Sequence, residues 1–367
     1  MSKHSAISPS SAGQWVQCPA SVKFQQDFPR ETDPIAAREG SAAHWLAARA
    51  LQGADCSGLT VADNGIEITD EMHAAVRAYC DDVERVAGVI HVEQRISCPK
   101  IHAEAYGTCD CYSVVGNRLT VWDFKFGILP VSAHLNYQLL MYASGILSNI
   151  SDKNITEIDL RIIQPRAYNR AECGFTHWLL DVTELPKFEA ILHVAAAAAL
   201  NDAPPAETGG HCRYCRARHA CPALRIETAK WAEAAREYSS PQELPPPALG
   251  FELEYLQEAA EIIKYRLEAL EAQTIKAITA GGLVPGFSVK QTFSREKWTV
   301  NFNEIQALGE LLGFDLAKPA EAITPTQARK LGLDKEITSK FAGKAPAGLK
   351  LVRDNINEAK EVFTNDY

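Results

Sequence analysis

The stretch LTVWDFKFG, residues 119–127, decides how this chain folds. Its apolar, β-branched and aromatic residues read as a strand packed into a core. It nevertheless carries Asp123 and Lys125, two opposite charges two residues apart. Burying an unpartnered charge is costly, so core strands normally exclude both. Side chains two apart on a strand point to the same face. Val121, Asp123 and Lys125 therefore share one face, and Trp122, Phe124 and Phe126 the other. The aromatic face can pack. The charged face must meet something polar, either as an ion pair on a wetted sheet or as part of a site.

The neighbouring segments VIHVEQRIS (89–97) and GTCDCYSVV (107–115) read as two further strands, with VGN as the hairpin turn before the third. Asp110 alternates with Cys109 and Cys111, so it is expected to face away from both thiols and toward Asp123. Glu93, one strand earlier, can join them. Three carboxylates converging beside one lysine repel unless cations neutralise them, and oxygen ligands suit Mg²⁺ or Mn²⁺. Such ions activate water and stabilise charge on a cleaved phosphodiester, while a lysine offsets phosphate charge. In NYQLLMY, Gln138 and Tyr142 lie four apart and share one helix face, as a grip on a nucleic-acid backbone or as a half-exposed surface.

The rest of the chain reads as a mixed α/β core flanked by helices. A short helix opens at Ser8-Pro9 and ends near Cys18. Further helices are expected at about 34–52, 69–87, 133–148 and 183–201, with strands near 156–164 and 173–180. SSPQELPPPALG (239–250) reads as a linker, followed by one long amphipathic helix, a hairpin near 286–300 and small helices. The expected domains are therefore residues 1–238, the linker, and a helical C-terminal region over 251–367.

Composition fits a globular protein: of 367 residues, 46% are hydrophobic and 23% charged. No apolar run approaches the roughly 20 residues that span a bilayer, and the start MSKHSAISPSS lacks a secretory layout. No membrane association, a cytoplasmic location and reduced thiols are the expectation. The net charge of −9 counts against a large nucleic-acid footprint, although a basic groove can sit on an acidic body. No GxxxxGK[ST] run marks a nucleotide-driven motor.

The order of elements carries more than any one motif. A strand with Glu93, then G-T-C-D ending at Asp110, then W-D-F-K with Asp123 and Lys125, then a helix with Gln138 and Tyr142, resembles the PD-(D/E)XK nuclease superfamily, in its RecB-like branch. The resemblance implies a restriction-endonuclease-like fold, with a mixed central sheet flanked by helices. It implies that Asp110, Asp123, Lys125 and Glu93 are catalytic and that Gln138 and Tyr142 bind substrate. That branch also places a metal-binding histidine on an upstream helix after a glycine, matched by Gly40 and His44. His44, Asp110 and Asp123 then hold Mg²⁺ or Mn²⁺.

Ten cysteines in a reducing compartment point to buried thiols or metal ligands. Cys212, Cys215 and Cys221 form a C-x₂-C-x₅-C set, for zinc with His211 or His219, or for an iron–sulfur cluster with a distant fourth cysteine. With Cys18, which also precedes a proline, the set resembles the iron–sulfur RecB-like nucleases, such as AddB-type domains and CRISPR-associated exonucleases. That resemblance implies a 4Fe–4S cluster on Cys18, Cys212, Cys215 and Cys221. Cys56, Cys80, Cys98, Cys109, Cys111 and Cys173 read as buried thiols. Arg213, Arg216 and Arg218 can meet phosphates or simply solvate their loop; Arg295, Lys297 and Trp298 can contact nucleic acid or stabilise the hairpin.

The tail EAITPTQARKLGLDKEITSKF and FSREKW resemble a phage and prophage family of uncharacterised RecB-like proteins. The expected activity is a metal-dependent DNA exonuclease, a phosphodiester hydrolase acting on single strands or duplex ends in phage recombination or replication. DNA is the expected partner, with a phage single-strand-binding or annealing protein as a second. The alternative is a DNA-binding or assembly subunit with a structural nuclease core.

Overall fold

The computed structural model describes residues 5–28, 34–86, 88–150, 154–168, 174–234, 245–293, 296–318, 321–343 and 346–353. Two short helices, α1 (Ala12–Trp15) and α2 (Ala20–Gln26), precede α3 (Ile35–Leu51) and α4 (Asp70–Glu84). Three strands follow: β1 (Ile90–Ser97), β2 (Tyr106–Val115) and β3 (Arg118–Phe124). The chain continues through α5 (Tyr137–Asn149), β4 (Glu157–Ile163), β5 (Phe175–Asp181), α6 (Leu185–Leu200), α7 (Pro222–Ala234) and α8 (Pro246–Thr279).

The five strands form one sheet in sequence order. Only β3 and β4 run parallel; the other pairs are antiparallel. A parallel neighbour needs a crossover, and α5 supplies it. Helix layers cover both faces. On one face Trp122, Phe124 and Phe126 pack with α3 and α4 through Leu46, Met72 and Tyr79. On the other, Val121, Leu160 and Ile162 pack with α5, α6 and Trp15. The two-face split of residues 121–126 therefore follows the strand alternation.

Local chemistry accounts for the boundaries. Gly116, at φ +61°, turns the β2–β3 hairpin. Asn136 caps α5 by accepting from the Leu139 N–H, so this helix starts at Tyr137 rather than near 133. Gly145 lets α5 lie against β1: a Cβ there would stand 2.5 Å from the Ser97 carbonyl oxygen.

Several expectations change. The alternation in β2 breaks at Asp110, because Cys109 joins the α5 face and Cys111 the α3–α4 face. Residues 239–244 of the expected linker lie outside the described residues, and from Pro246 the chain is already helical. Proline is tolerated in a first turn, so the proline run starts the helix instead of preceding it. Two compact units result, Met1–Arg266 and Leu267–Tyr367, and their boundary falls within α8.

The expected hairpin at 286–300 does not form either. Phe287–Phe293 pairs with Pro346–Arg353, and Lys297–Trp298 pairs with Ala342–Gly343. Trp298 packs into the second unit's own core with Ile305 and Leu316, its indole N–H donating to the Ile323 carbonyl, so it offers no nucleic-acid face. Arg295 lies outside the described residues, as does Cys173. Cys56 is half-buried rather than buried. Among the described residues, no helix is long and apolar enough to cross a membrane.

Candidate active site

The charges in β3 are resolved by a closed ring of polar contacts. Asp123 is 1% exposed and faces α5. Lys125 Nζ stands 2.8 Å from Asp123 Oδ2 and donates to Gln138 Oε1 at 3.2 Å. Gln138 Nε2 donates to Asp123 Oδ1 at 2.7 Å. The two charges are therefore paired, the condition under which they survive in a core strand, while among the described residues Asp123 Oδ2 accepts no hydrogen bond beyond that ion pair.

A second group forms where β2 parts from β3. Their ladder ends at Cys111 and Trp122, while β3 stays paired with β4 through Phe124. The Phe124 N–H instead donates to Asp110 Oδ2 at 2.8 Å. His44 Nδ1, reaching from α3, lies 3.4 Å from that oxygen. On β1 the ladder pairs Val92 with Cys111 and Gln94 with Cys109 but skips Glu93, whose φ is +50°. Left-handed backbone at a residue other than glycine costs about 1–3 kcal/mol and persists where the surroundings over-determine it. Ligand atoms of His44, Glu93 and Asp110 all lie within 4.8 Å of one another.

The electrostatics follow from this crowding. Partial burial, then the charge of Asp110, pushes the Glu93 carboxyl up to about 7, against the pull of His44. Burial works to raise the Asp110 carboxyl, but His44, Lys125 and the Phe124 N–H together hold it below the usual range. Burial, then the charge of Asp110, raises the Asp123 carboxyl despite Lys125. Burial lowers the basicity of Lys125, and Asp123 and Asp110 more than restore it. The ammonium is therefore charged.

These positions redistribute the expected roles. His44 and Asp110 come together as expected, and the third member of their close group is Glu93. Asp123 lies outside that group, its two oxygens turned to Lys125 and Gln138. Tyr142 is buried, and its hydroxyl donates to the Thr108 carbonyl at 2.6 Å, so its ring offers no face for a base. It holds the strand that carries Asp110.

The donor set fits a divalent cation. Two carboxylates and one imidazole converge from three elements, and that mixture suits Mn²⁺ at least as well as Mg²⁺.

The cysteine set lies in the first unit. Cys18 follows α1; Cys212 sits in the single turn Gly210–Tyr214; Cys215 follows it; Cys221 precedes α7. Charges on Cys18, Cys212 and Cys221 each act on the thiol of Cys215, and Cys18 feels Cys221. Burial pushes the thiol of Cys215 up to about 11. The four cysteines, separated by nearly 200 residues of chain, thus lie near enough for their charges to act on one another. His211 engages Gln17 Oε1 and the Glu207 carbonyl, and His219 engages the Arg216 carbonyl through Nδ1. α8 closes over the loop, with Ile262 and Tyr265 packed beside Cys212 and Arg266 bonded to the Arg218 and His219 carbonyls.

A family model described as "Protein of unknown function (DUF2800)" matches residues 4–353. This chain belongs to that family. Solved structures similar to it include the following two. The crystal structure of SSO0001 shares 15% identity over 61% of this chain and 89% of that one, with a TM-score of 0.30. An alkaline exonuclease (LHK-Exo) from Laribacter hongkongensis shares 11% identity over 51% of this chain and 90% of that one, with a TM-score of 0.24.

Some of the site's walls were not foreseen. Arg95 and Tyr106 border the acids, as do Ser8 and Ser10 beside the first turn. Arg95 had a sequence signal, since it lies two residues from Glu93 on β1. The serines had none, because their place depends on how α1 docks.

Proposed function

We propose that this chain is a metal-dependent deoxyribonuclease of the PD-(D/E)XK type, in the RecB-like branch, with its restriction-endonuclease-like core in the first unit. The observation that carries this reading is the close group of His44, Glu93 and Asp110 beside the Asp123–Lys125–Gln138 ring. Packing needs no such convergence, and the left-handed backbone of Glu93 falls within this group.

His44, Glu93 and Asp110 hold Mg²⁺ or Mn²⁺, with Asp123 as the neighbouring carboxylate. The bound cation supplies water activation and neutralises charge on the scissile phosphate. Lys125, kept protonated by Asp123, presents a fixed positive charge to the phosphate as negative charge builds on it. Gln138 fixes both members of that pair. Water attacks phosphorus, the P–O bond to the leaving strand breaks, and the departing oxygen takes a proton. Exonuclease action on single strands or duplex ends, a role in phage recombination or replication, and a single-strand-binding or annealing partner complete the reading.

The four cysteines bind a 4Fe–4S cluster that staples α1 and α2 to the segment after the sheet. The donor set fits such a cluster, with four cysteines brought together and α8 packed beside Cys212. The alternative, an assembly subunit with a structural core, draws on the charges of Asp123 and Lys125 being paired without any ligand.

Labelled DNA incubated with the purified chain, Mg²⁺ or Mn²⁺, and with or without chelator separates the two readings. The nuclease reading expects chelator-sensitive cleavage. Intact DNA in both cations, with binding retained, supports the assembly subunit.

A further inference from the structure

Three cavities run together across the first unit. One, of about 490 Å³, holds the acids. It shares His44, Asp110 and Lys125 with a second of about 1080 Å³ along α3. It shares Ser5, Ser8 and Ser10 with a third of about 940 Å³, which reaches His211, Tyr214 and Arg216 beside the cysteine loop. The result is a continuous groove with the acids in its middle.

Two stretches of the groove carry an arginine laid over an aromatic ring, and the third carries the ring of Tyr214. Along α3, Arg49 lies 5.1 Å from the Trp45 ring centre. At the acids, Arg95 lies 3.9 Å from that of Tyr106. By the cysteine loop, Arg213 lies 5.6 Å from that of Tyr214. Such pairs are common enough that a chain this long carries several. Their placement is the informative feature: of the five among the described residues, two have both members on the groove wall, and a third has its ring, Tyr214, there. Between them the third cavity is walled largely by uncharged serines and glutamines.

We propose that this groove is a track for one nucleic-acid strand, with the Arg49–Trp45 and Arg95–Tyr106 pairs and the Tyr214 ring as stacking platforms along it, before, at and beyond the acids. The proposal rests on the nuclease reading and extends it to the substrate's path. A guanidinium held flat on a ring keeps its outer face for a base and its N–H edges for phosphates. Every base has such a face, so the platforms grip without reading sequence. In a duplex the base faces are stacked against their neighbours, so the strand on these platforms is single. Cationic planes lining the groove also explain how a chain of net charge −9 holds a polyanion.

The test is fluorescence anisotropy with a labelled oligothymidylate of about 20 nucleotides, in Ca²⁺, against the wild-type chain, Arg49→Ala, Arg95→Ala and Arg95→Lys. One stacked base accounts for roughly tenfold in affinity or more. Each alanine variant is expected to raise Kd by about that factor, and Arg95→Lys should not restore it, since lysine keeps the charge and loses the plane. A blunt duplex of the same length should bind about tenfold more weakly. Alanine variants within twofold of wild type, full rescue by lysine, or equally tight duplex binding would each overturn the track. Mn²⁺-dependent cleavage by the same wild-type sample separates the two readings. Absent cleavage with these Kd losses keeps the track and removes the nuclease. Cleavage with unchanged Kd values does the reverse.

Discussion

Asp110 Oδ2 accepts the Phe124 backbone N–H at 2.8 Å, at the point where the β2–β3 ladder has run out. One carboxylate thus closes a gap in the sheet and faces His44. The two jobs separate by substitution. Asp110→Asn keeps an oxygen for the Phe124 N–H and should fold like wild type while losing Mn²⁺ affinity. Asp110→Ala leaves that N–H unmet and should lose about 1–3 kcal/mol of stability as well. Urea melts with Mn²⁺ titration calorimetry check both; equal stability of the two variants would deny the carboxylate its structural part.

Gln138 bridges Asp123 and Lys125, so its main work is positioning. Gln138→Ala should lower kcat about tenfold or more, by loosening the ammonium, while the Kd for a labelled oligonucleotide stays within twofold. A loss confined to DNA affinity would instead make Gln138 a substrate contact.

The strand, its charges and the helix that follows were legible in residues 119–142, because alternation on β3 and four-residue spacing on α5 are local rules. That Glu93 rather than Asp123 stands with His44 and Asp110 was not. It depends on β1 carrying a left-handed residue and on β2 leaving β3 two residues before that strand ends, and neither leaves a mark in composition. Burial of Tyr142 depends on Thr108 presenting its carbonyl across a layer. The second unit hid its pairings for a different reason: Phe287–Phe293 joins a strand over fifty residues away, and no short-range pattern records such a partner.

Gly145 is where α5 touches β1. An added Cβ would stand 2.4 Å from Ile96 Cγ2 and 2.5 Å from the Ser97 carbonyl oxygen, and backbone cannot yield as a flexible side chain can. Gly145→Ala should destabilise the first unit by about 1–3 kcal/mol, despite alanine's better helix propensity. A chemical-denaturation curve that matched wild type would show that the helix can shift freely.

Ligation joining Cys18 to Cys212, Cys215 and Cys221 closes a loop of nearly 200 residues. Holding such a loop without a cross-link costs on the order of 5 kcal/mol in chain entropy. Cys18→Ala should therefore lose bound iron and sulfide and aggregate more readily. Cys56→Ala, away from the set, should match wild type in metal content and activity. Anaerobically purified wild type holding one zinc and no sulfide would reject the cluster.

The central claim is that the His44–Glu93–Asp110 group and the Lys125 ammonium form one hydrolytic site. The most direct measurement is cleavage of end-labelled DNA in Mn²⁺ by wild type, Asp110→Asn and Lys125→Met, each first shown to be folded. Wild type should cleave and stop on chelation, Asp110→Asn should be inactive without bound Mn²⁺, and Lys125→Met should bind Mn²⁺ yet turn over about 10²-fold more slowly or worse. Equal cleavage by all three proteins would contradict the assignment.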